Sequence, residues 1–174
     1  MTAQYSAFAT CPKNLEGLLR AELSELGAAE LRETVAGVAF AGSLECLYWV
    51  CLWSRLANRV LLVLTTFTFH DQDDLYHGIR SLSWRDHMLS STTFAIDFSG
   101  KTNAIKHTHY GALKVKDAVV DYFRDTVGTR PSVDTIQPAL RLNVRAVRGQ
   151  AIVSIDLSGE GLHKRGYRKA SGPA

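Results

Sequence analysis

The sequence predicts an α+β protein, and two observations carry that prediction. Short segments in which apolar and polar residues alternate, as in half-buried strands, are separated by segments with apolar residues at helical spacing. Glycines and polar residues punctuate the boundaries between these segments. The pattern divides into two successive modules, each with its own strands and helices.

The first module reads strand, helix, strand, strand, helix, strand. It starts with the strand YSAFATC and a helix from about Pro12 that stops at Gly27. AELRETVAGVAFAG predicts two strands around a turn near Gly37, and RVLLVLTTF predicts a strand covered on both sides. Ser43 is placed to cap the second helix, whose predicted apolar side contains Leu44, Leu47, Tyr48, Cys51 and Leu52. This order is ferredoxin-like, and residues 1–69 are assigned to such a domain.

The second module, residues 70–158, contains two helices and three strands. A helix opens near Asp73 with Leu75 and Ile79 inward, TFAIDFSG is a strand, and a second helix follows from Tyr110 to Phe123. LRLNVRAVRGQAIVSIDL predicts a hairpin. The three tryptophans lie in apolar patterns and are expected in the core: Trp49, Trp53 and Trp84. Residues 159–174 are predicted to be a linker, so we expect the chain to be a fragment whose chemistry lies beyond it.

Composition excludes several classes of protein. The 174 residues are 46% hydrophobic and 21% charged, as in ordinary globular proteins. The first nine residues have no basic region before an apolar one, so we expect no secretory signal. No apolar run approaches the roughly 20 residues that a membrane helix needs. Cys11, Cys46 and Cys51 lack metal-site or redox spacing and are expected to be buried, reduced thiols in a cytoplasmic protein.

Catalytic and cofactor motifs are missing from the sequence. GEGLHKRG does not have the GxGxxG spacing that a dinucleotide site needs. His107 and His109 lack a neighbouring third ligand, so we expect no metal site. No nucleophile and base are paired, and no residue is assigned a catalytic role.

The charge is divided unevenly along the chain. Residues 1–100 carry 7 Lys and Arg against 11 Asp and Glu, a balance of −4, whereas residues 101–174 carry 13 against 6, a balance of +7. The second half therefore favours a polyanionic partner, with a solvated surface as the alternative.

Three segments carry a family resemblance: SRLANRVLLVL, FAIDFSG with YGALKVKDAVVDYF, and SIDLSGEGLHKRGYR. They resemble the N-terminal part of bacterial THUMP-containing methyltransferases of large-subunit ribosomal RNA, over nearly the whole chain. The resemblance implies a ferredoxin-like domain packed with an α/β THUMP domain, whose limits could be nearer 43–154. It also implies binding of large-subunit rRNA and a following domain that uses S-adenosylmethionine to methylate a guanine amine, with no cofactor in this fragment.

Candidate RNA-binding residues fall into three groups in the basic half. The first is a loop between Gly100 and Gly111, with Lys114 one turn beyond it, and we expect at least one of these glycines to need a conformation closed to other residues. The second group is a polar row on one strand, and the third is the basic end of the chain. The residues are Lys101, Thr102, Asn103, Lys106, His107 and Lys114; Arg141 and Arg145, with Asn143 between them; and Lys164, Arg165, Tyr167 and Arg168, with His163 beside them.

Each group has a structural alternative. The loop could simply be solvated, and Lys114 could pair with Asp117. The row containing Arg141 could face a covering module, and GLHKRGYR could dock the THUMP domain against the following catalytic domain. Two other functions stay open, namely a THUMP module of a tRNA-modifying enzyme and a basic module that binds an acidic protein.

Overall fold

The structure, a computed structural model, describes residues 3–164. Within that range it contains seven strands and four α-helices, which form two compact units. Residues 3–62 and 156–164 belong to the first unit, and residues 63–155 belong to the second. No helix among the described residues has the length and apolarity to cross a membrane.

The first unit has the predicted ferredoxin-like order of elements. Its strands lie in the order β2-β3-β1-β4, and β1 pairs antiparallel with both β3 and β4. The elements are β1 (Tyr5–Thr10), α1 (Glu16–Glu25), β2 (Ala29–Thr34), β3 (Gly37–Gly42), α2 (Leu44–Trp53) and the first residues of β4 (Arg59–Thr68). Helix α1 begins four residues later than predicted, after Asn14, whose φ of 72° is not helical.

The buried face of α2 differs from the prediction. Ser43 caps the helix as predicted, its hydroxyl accepting the Cys46 N–H at 3.1 Å. The buried residues of α2 are Cys46, Leu47 and Val50, whereas Leu44, Tyr48 and Leu52 from the predicted apolar side are exposed. Apolar residues surround this helix almost completely, so periodicity alone could not identify the face that packs.

Two of the three tryptophan assignments were wrong. Trp84 is fully buried and donates its indole N–H to the Ile79 carbonyl at 2.9 Å. Trp49 and Trp53 lie on the outer side of α2 and are exposed. Strand β4 is likewise less covered than predicted, since it is fully buried only at Val60 and Leu61.

The second unit places its strands in the order β4-β7-β6-β5. Its elements, besides the rest of β4, are α3 (Gln72–Arg80), a short 3-10 turn (Trp84–Asp86), β5 (Phe94–Ser99), α4 (Thr108–Val127), β6 (Leu140–Val147) and β7 (Gln150–Asp156). The predicted hairpin is confirmed, with β6 and β7 antiparallel across Arg148 and Gly149. Asp71, which the sequence reading missed, caps α3 by accepting the N–H groups of Asp73 and Asp74.

The connection through α4 positions the basic loop. Strands β5 and β6 are parallel neighbours, with Ser99 opposite Arg145. Parallel strands joined by a helix bring their carboxyl ends to the same edge of the sheet, where ligands of α/β proteins commonly bind. The loop after β5 and the turn after β6 therefore meet at one edge.

Candidate nucleic-acid interface

The basic loop begins at Gly100, directly after β5. Gly100 has a φ of +88°, and a Cβ atom there would collide with the Ala146 carbonyl oxygen of β6. The expectation that one of the two bracketing glycines needs a conformation closed to other residues is therefore confirmed at Gly100. Gly111 lies instead within α4, where a side chain would collide with the ring of Phe98.

Ile105 anchors the loop in the second unit. Its side chain is fully buried, its carbonyl accepts the Thr102 N–H, and its own N–H donates to the Thr102 hydroxyl, both at 3.1 Å. The Thr102 hydroxyl thus shapes the loop. Lys101, Asn103 and Lys106 are exposed around this anchor, which directs two ammonium groups and an amide toward solvent.

The loop leads into the N-terminus of α4. His107 occupies the capping position in an extended conformation and makes no side-chain capping bond, and the first turn contains no acidic residue. The partial positive charge of the helix N-terminus is therefore not offset within its own first turn, and it adds to the charge of Lys106.

A cleft of about 420 Å³ lies beside this loop. Lys101 and Asn103 line it on the loop side, and Arg148 lines it from the β6–β7 turn; the remaining lining residues are Phe69, His70, Thr102, Ala104 and Gly149. Arg148 is exposed, and both turn residues have positive φ, 50° and 75°. Lys101 and Arg148 give the cleft cations from two separate loops, and such cations can neutralise the phosphates of a nucleic acid.

Sequence reasoning missed Arg148 as a site residue. The hairpin turn was predicted at the correct residues, but Arg148 is 47 positions from Lys101 in the chain. The parallel pairing of β5 and β6 would have been the signal, since it places both loops at one edge.

Lys114 lies away from the lining of this cleft and is partly neutralised. Its ammonium is 3.5 Å from Asp73 of α3 and 6.0 Å from the ring centre of Tyr76. Asp117, the alternative partner of Lys114, lies instead 2.8 Å from the ammonium of Lys116. Lys114 helps hold α3 to α4, and RNA would have to compete with a carboxylate for it.

The two arginines of the polar row on β6 differ in how far their charge is available to an anion. Arg141 lies 3.3 Å from Asp97 of β5 within the same unit, so part of its charge is offset. Arg145 is exposed and lies four residues farther along β6, toward the edge that carries the cleft. Of the two arginines, Arg145 is the better placed to meet an anion.

The basic end of the chain is described only as far as Lys164. His163 and Lys164 are exposed in a 3-10 turn of the first unit, Leu162–Lys164. Arg165, Tyr167 and Arg168 lie outside the described residues.

Two of the three thiols are buried as predicted, whereas Cys51 is half-buried. Cys11 and Cys46 are buried, and burial raises the pKa of each thiol, which disfavours the reactive thiolate. Between residues 3 and 164, no three His, Cys, Asp or Glu side chains come together as a metal site would require.

Two sequence models of known domains match the chain. One is described as the RlmL ferredoxin-like domain and covers residues 6–61, and the other is described as the THUMP domain and covers residues 69–156. Strand β4 contributes residues to both compact units, and the boundary predicted between residues 69 and 70 stays a prediction.

The curated relatives are methyltransferases of ribosomal RNA. The ribosomal RNA large subunit methyltransferase K/L of Pseudomonas savastanoi pv. phaseolicola is 53% identical over the whole of this chain, and that of Cellvibrio japonicus is 52% identical. In each case the chain spans 23% of the relative's length, and the matched part is the N-terminal part.

Solved structures of methyltransferases share the fold. A predicted N6-adenine-specific DNA methylase from Listeria monocytogenes has a TM-score of 0.85 at 25% identity, covering 98% of this chain and 45% of its own. A putative methyltransferase complexed with SAH has a TM-score of 0.84 at 25% identity, with coverages of 98% and 46%.

These matches confirm the resemblance drawn from the sequence. The THUMP match extends over just over half of the residues and includes the basic loop, α4 and the β6–β7 hairpin. The chain therefore belongs to the family of proteins that carry a THUMP domain.

Proposed function

We propose that this chain is the RNA-binding N-terminal region of a cytoplasmic, S-adenosylmethionine-dependent methyltransferase that modifies a guanine amine of large-subunit rRNA. In this proposal it holds the rRNA while a catalytic domain, in the part of the relatives beyond the matched region, transfers the methyl group. The observation that carries the proposal is the cleft in which Lys101 and Arg148 converge. The matched methyltransferases support the assignment of the partner as rRNA.

The cofactor is expected in the proposed catalytic domain, because this chain has no matching cofactor motif. Its glycine-rich segment after β7, GEGLHKRG, does not have the G-x-G-x-x-G spacing of a nucleotide-cofactor turn. Nucleotide-type cofactors are held where a glycine-rich turn opens a full helix, whose N–H groups face the ligand. S-adenosylmethionine supplies the methyl group to the parent enzyme, and this region supplies affinity and placement.

The proposed contacts are mainly with phosphates. Lys101 and Lys106 carry point charges without the planar fork that reads a base edge, and Arg148 can hold a phosphate through two N–H groups. Arg145 and Lys164 would extend this surface, and Asn103 and His107 add hydrogen-bonding groups beside it. Binding at Arg165, Tyr167 and Arg168 stays a prediction, as does binding at Thr102, Lys114 and Arg141.

The test is a triple substitution of Lys101, Lys106 and Arg148 by Ala. Binding to two rRNA hairpins of different sequence should weaken by similar factors, because phosphate contacts carry no sequence information. The slope of log affinity against log salt should flatten by about 2 to 3 units for three lost contacts. Fluorescence anisotropy over a salt series measures both quantities, and thermal melting checks the fold.

A matched control removes the same charge from the first unit. Lys13, Arg20 and Arg32 are exposed there, and their triple replacement by Ala should leave the salt slope nearly unchanged. Equal losses in both triple variants would show that net charge rather than this cleft binds RNA. Tighter binding to tRNA than to either rRNA hairpin would assign the module to a tRNA-modifying enzyme.

A further inference from the structure

The outer side of α2 presents aromatic rings to solvent. Tyr48, Trp49 and Trp53 are 58%, 44% and 60% exposed. The two indole rings are stacked, with centroids 6.5 Å apart and planes inclined by 23°. The helix already packs on its core through Cys46, Leu47 and Val50, so these rings are not needed to hold α2 in place. Exposed apolar surface that includes a stacked pair of indoles is a candidate interaction surface.

The charge around this aromatic face argues against RNA as its partner. Glu45 is the one charged residue in the α2 sequence LECLYWVCLW, and its carboxylate accepts the Trp49 indole N–H at 3.4 Å. Arg55, just after the helix, lies 3.6 Å from Glu22. A face with one carboxylate among its rings would repel phosphates, whereas an apolar protein surface would bury the rings favourably.

The size of the face argues against a stable dimer. Tyr and Trp side chains each offer about 150–250 Å², so the exposed fractions leave roughly 250–400 Å² on these three rings. Stable association of separate proteins buries about 800 Å² per partner. A patch of this size suits a partner tethered in the same polypeptide, where the effective concentration reaches the millimolar range.

The last described residues of the chain lie in the same unit as α2. The Leu162 N–H donates to the Asn58 carbonyl at 2.8 Å, and Asn58 follows the end of α2 by five residues. Lys164, two residues after Leu162, thus lies in the same unit as α2. The relatives continue far beyond the matched 23% of their length.

We propose that Tyr48, Trp49 and Trp53 dock an apolar surface of the polypeptide that follows this region in the full-length methyltransferases. The proposal rests on the function proposed above, since it requires a catalytic domain in the same chain. Docking at α2 would fix the RNA-binding region relative to that domain, as positioning of a large substrate requires.

Hydroxyl-radical footprinting without RNA tests the proposal. The 174-residue chain is compared alone and joined to the portion of the P. savastanoi methyltransferase that follows its matched region. Oxidation of Trp49 and Trp53 should slow several-fold in the joined protein. Leu89 and Ile136, which are 69% and 85% exposed in the second unit, serve as controls and should react at the same rate in both. A joined variant with Trp49→Ser and Trp53→Ser should lose the protection of Tyr48.

Four results would overturn the docking proposal. Equal oxidation rates in both proteins would mean that the following polypeptide does not cover α2. Protection of the isolated chain that grows with its concentration would assign the face to a second copy. Protection that requires added rRNA would assign it to RNA. Faster oxidation after removal of residues 165–174 would show that those residues cover it.

The experiments can reject the docking proposal and the RNA-binding proposal independently of each other. RNA binding through the Lys101 and Arg148 cleft with unprotected tryptophans would reject only the docking. Protected tryptophans in a protein that does not bind RNA would reject only the cleft.

Discussion

At Gly100 both backbone conformation and available space exclude a side chain. The chain leaves β5 with a φ of +88°, and the Ala146 carbonyl of the neighbouring strand occupies the position of a Cβ atom. Because Gly100 has no side chain, the backbone can turn out of β5 into the basic loop while Gly100 itself packs closely against β6. The proposed RNA-binding residue Lys101 follows it directly.

We expect Gly100→Ala to destabilise the protein by more than about 2 kcal/mol, because positive φ alone costs an L-residue about 1–2 kcal/mol and the collision adds to it. Gly128→Ala is the matched control, since Gly128 has a φ of +76° and open space around it. It should lose only about 1 kcal/mol. Urea unfolding measures both, and equal losses would rule out the close approach to Ala146 as a cause.

The carboxylate of Asp74 makes stability depend on pH. The His70 backbone N–H donates to it at 2.9 Å, and the His70 ring lies 3.2 Å away. These contacts, the backbone hydrogen bond first, hold the pKa of Asp74 below its usual value. A depressed pKa gives stability that is present above the unfolded-state pKa of about 3.9 and is lost as pH falls through the folded-state value.

Asp74→Asn should therefore be less stable than the unmodified chain at pH 6, and the gap should close as pH falls toward 3. Urea unfolding midpoints at a series of pH values measure the gap. A gap that is constant from pH 6 to pH 3 would show that the loss comes from something other than the carboxylate charge.

Helix α2 shows what a single element encodes. Its start follows from one residue, because Ser43 caps it through the Cys46 N–H. Its orientation does not follow from the sequence, because apolar side chains occur all around it and the sheet determines which three become buried. The aromatic residues of α2 are exposed because the opposite side of the helix packs on the sheet.

Replacing Ser43 by Ala should cost about 1 kcal/mol, the usual value of an N-terminal cap. Ser43→Asp should retain most of the stability, since a carboxylate caps equally well and suits the helix dipole. Thermal and urea unfolding would measure both variants. If Ala and Asp destabilised equally, packing of Ser43 rather than capping would be its role.

At the scale of the whole molecule, the distribution of charge and the length of the relatives agree with the proposed function. The basic excess lies in residues 101–174, which hold the basic loop and the hairpin of the second unit. Two matched methyltransferases are more than four times the length of this chain. RNA affinity and methyl transfer would then reside in different parts of one polypeptide.

The 174-residue chain should accordingly show no binding of S-adenosylmethionine by isothermal titration calorimetry. Its sequence has no G-x-G-x-x-G spacing at a turn from strand to helix, the motif commonly used for such cofactors. The full-length P. savastanoi relative is the positive control. Micromolar binding by the 174-residue chain itself would contradict the assignment of the cofactor to a following domain.

Local patterns in the sequence determined the order of elements, the cap at Ser43, the need for a glycine at one end of the basic loop and the basic character of the second half. Each depends on neighbouring residues or on simple charge, so the sequence by itself was sufficient. Only the tertiary structure decided that Arg148 joins Lys101, that Lys114 meets Asp73 rather than Asp117, and that Trp49 and Trp53 are exposed. These depend on which strands pair and which helix faces pack, and such long-range contacts bring together residues that no local periodicity relates.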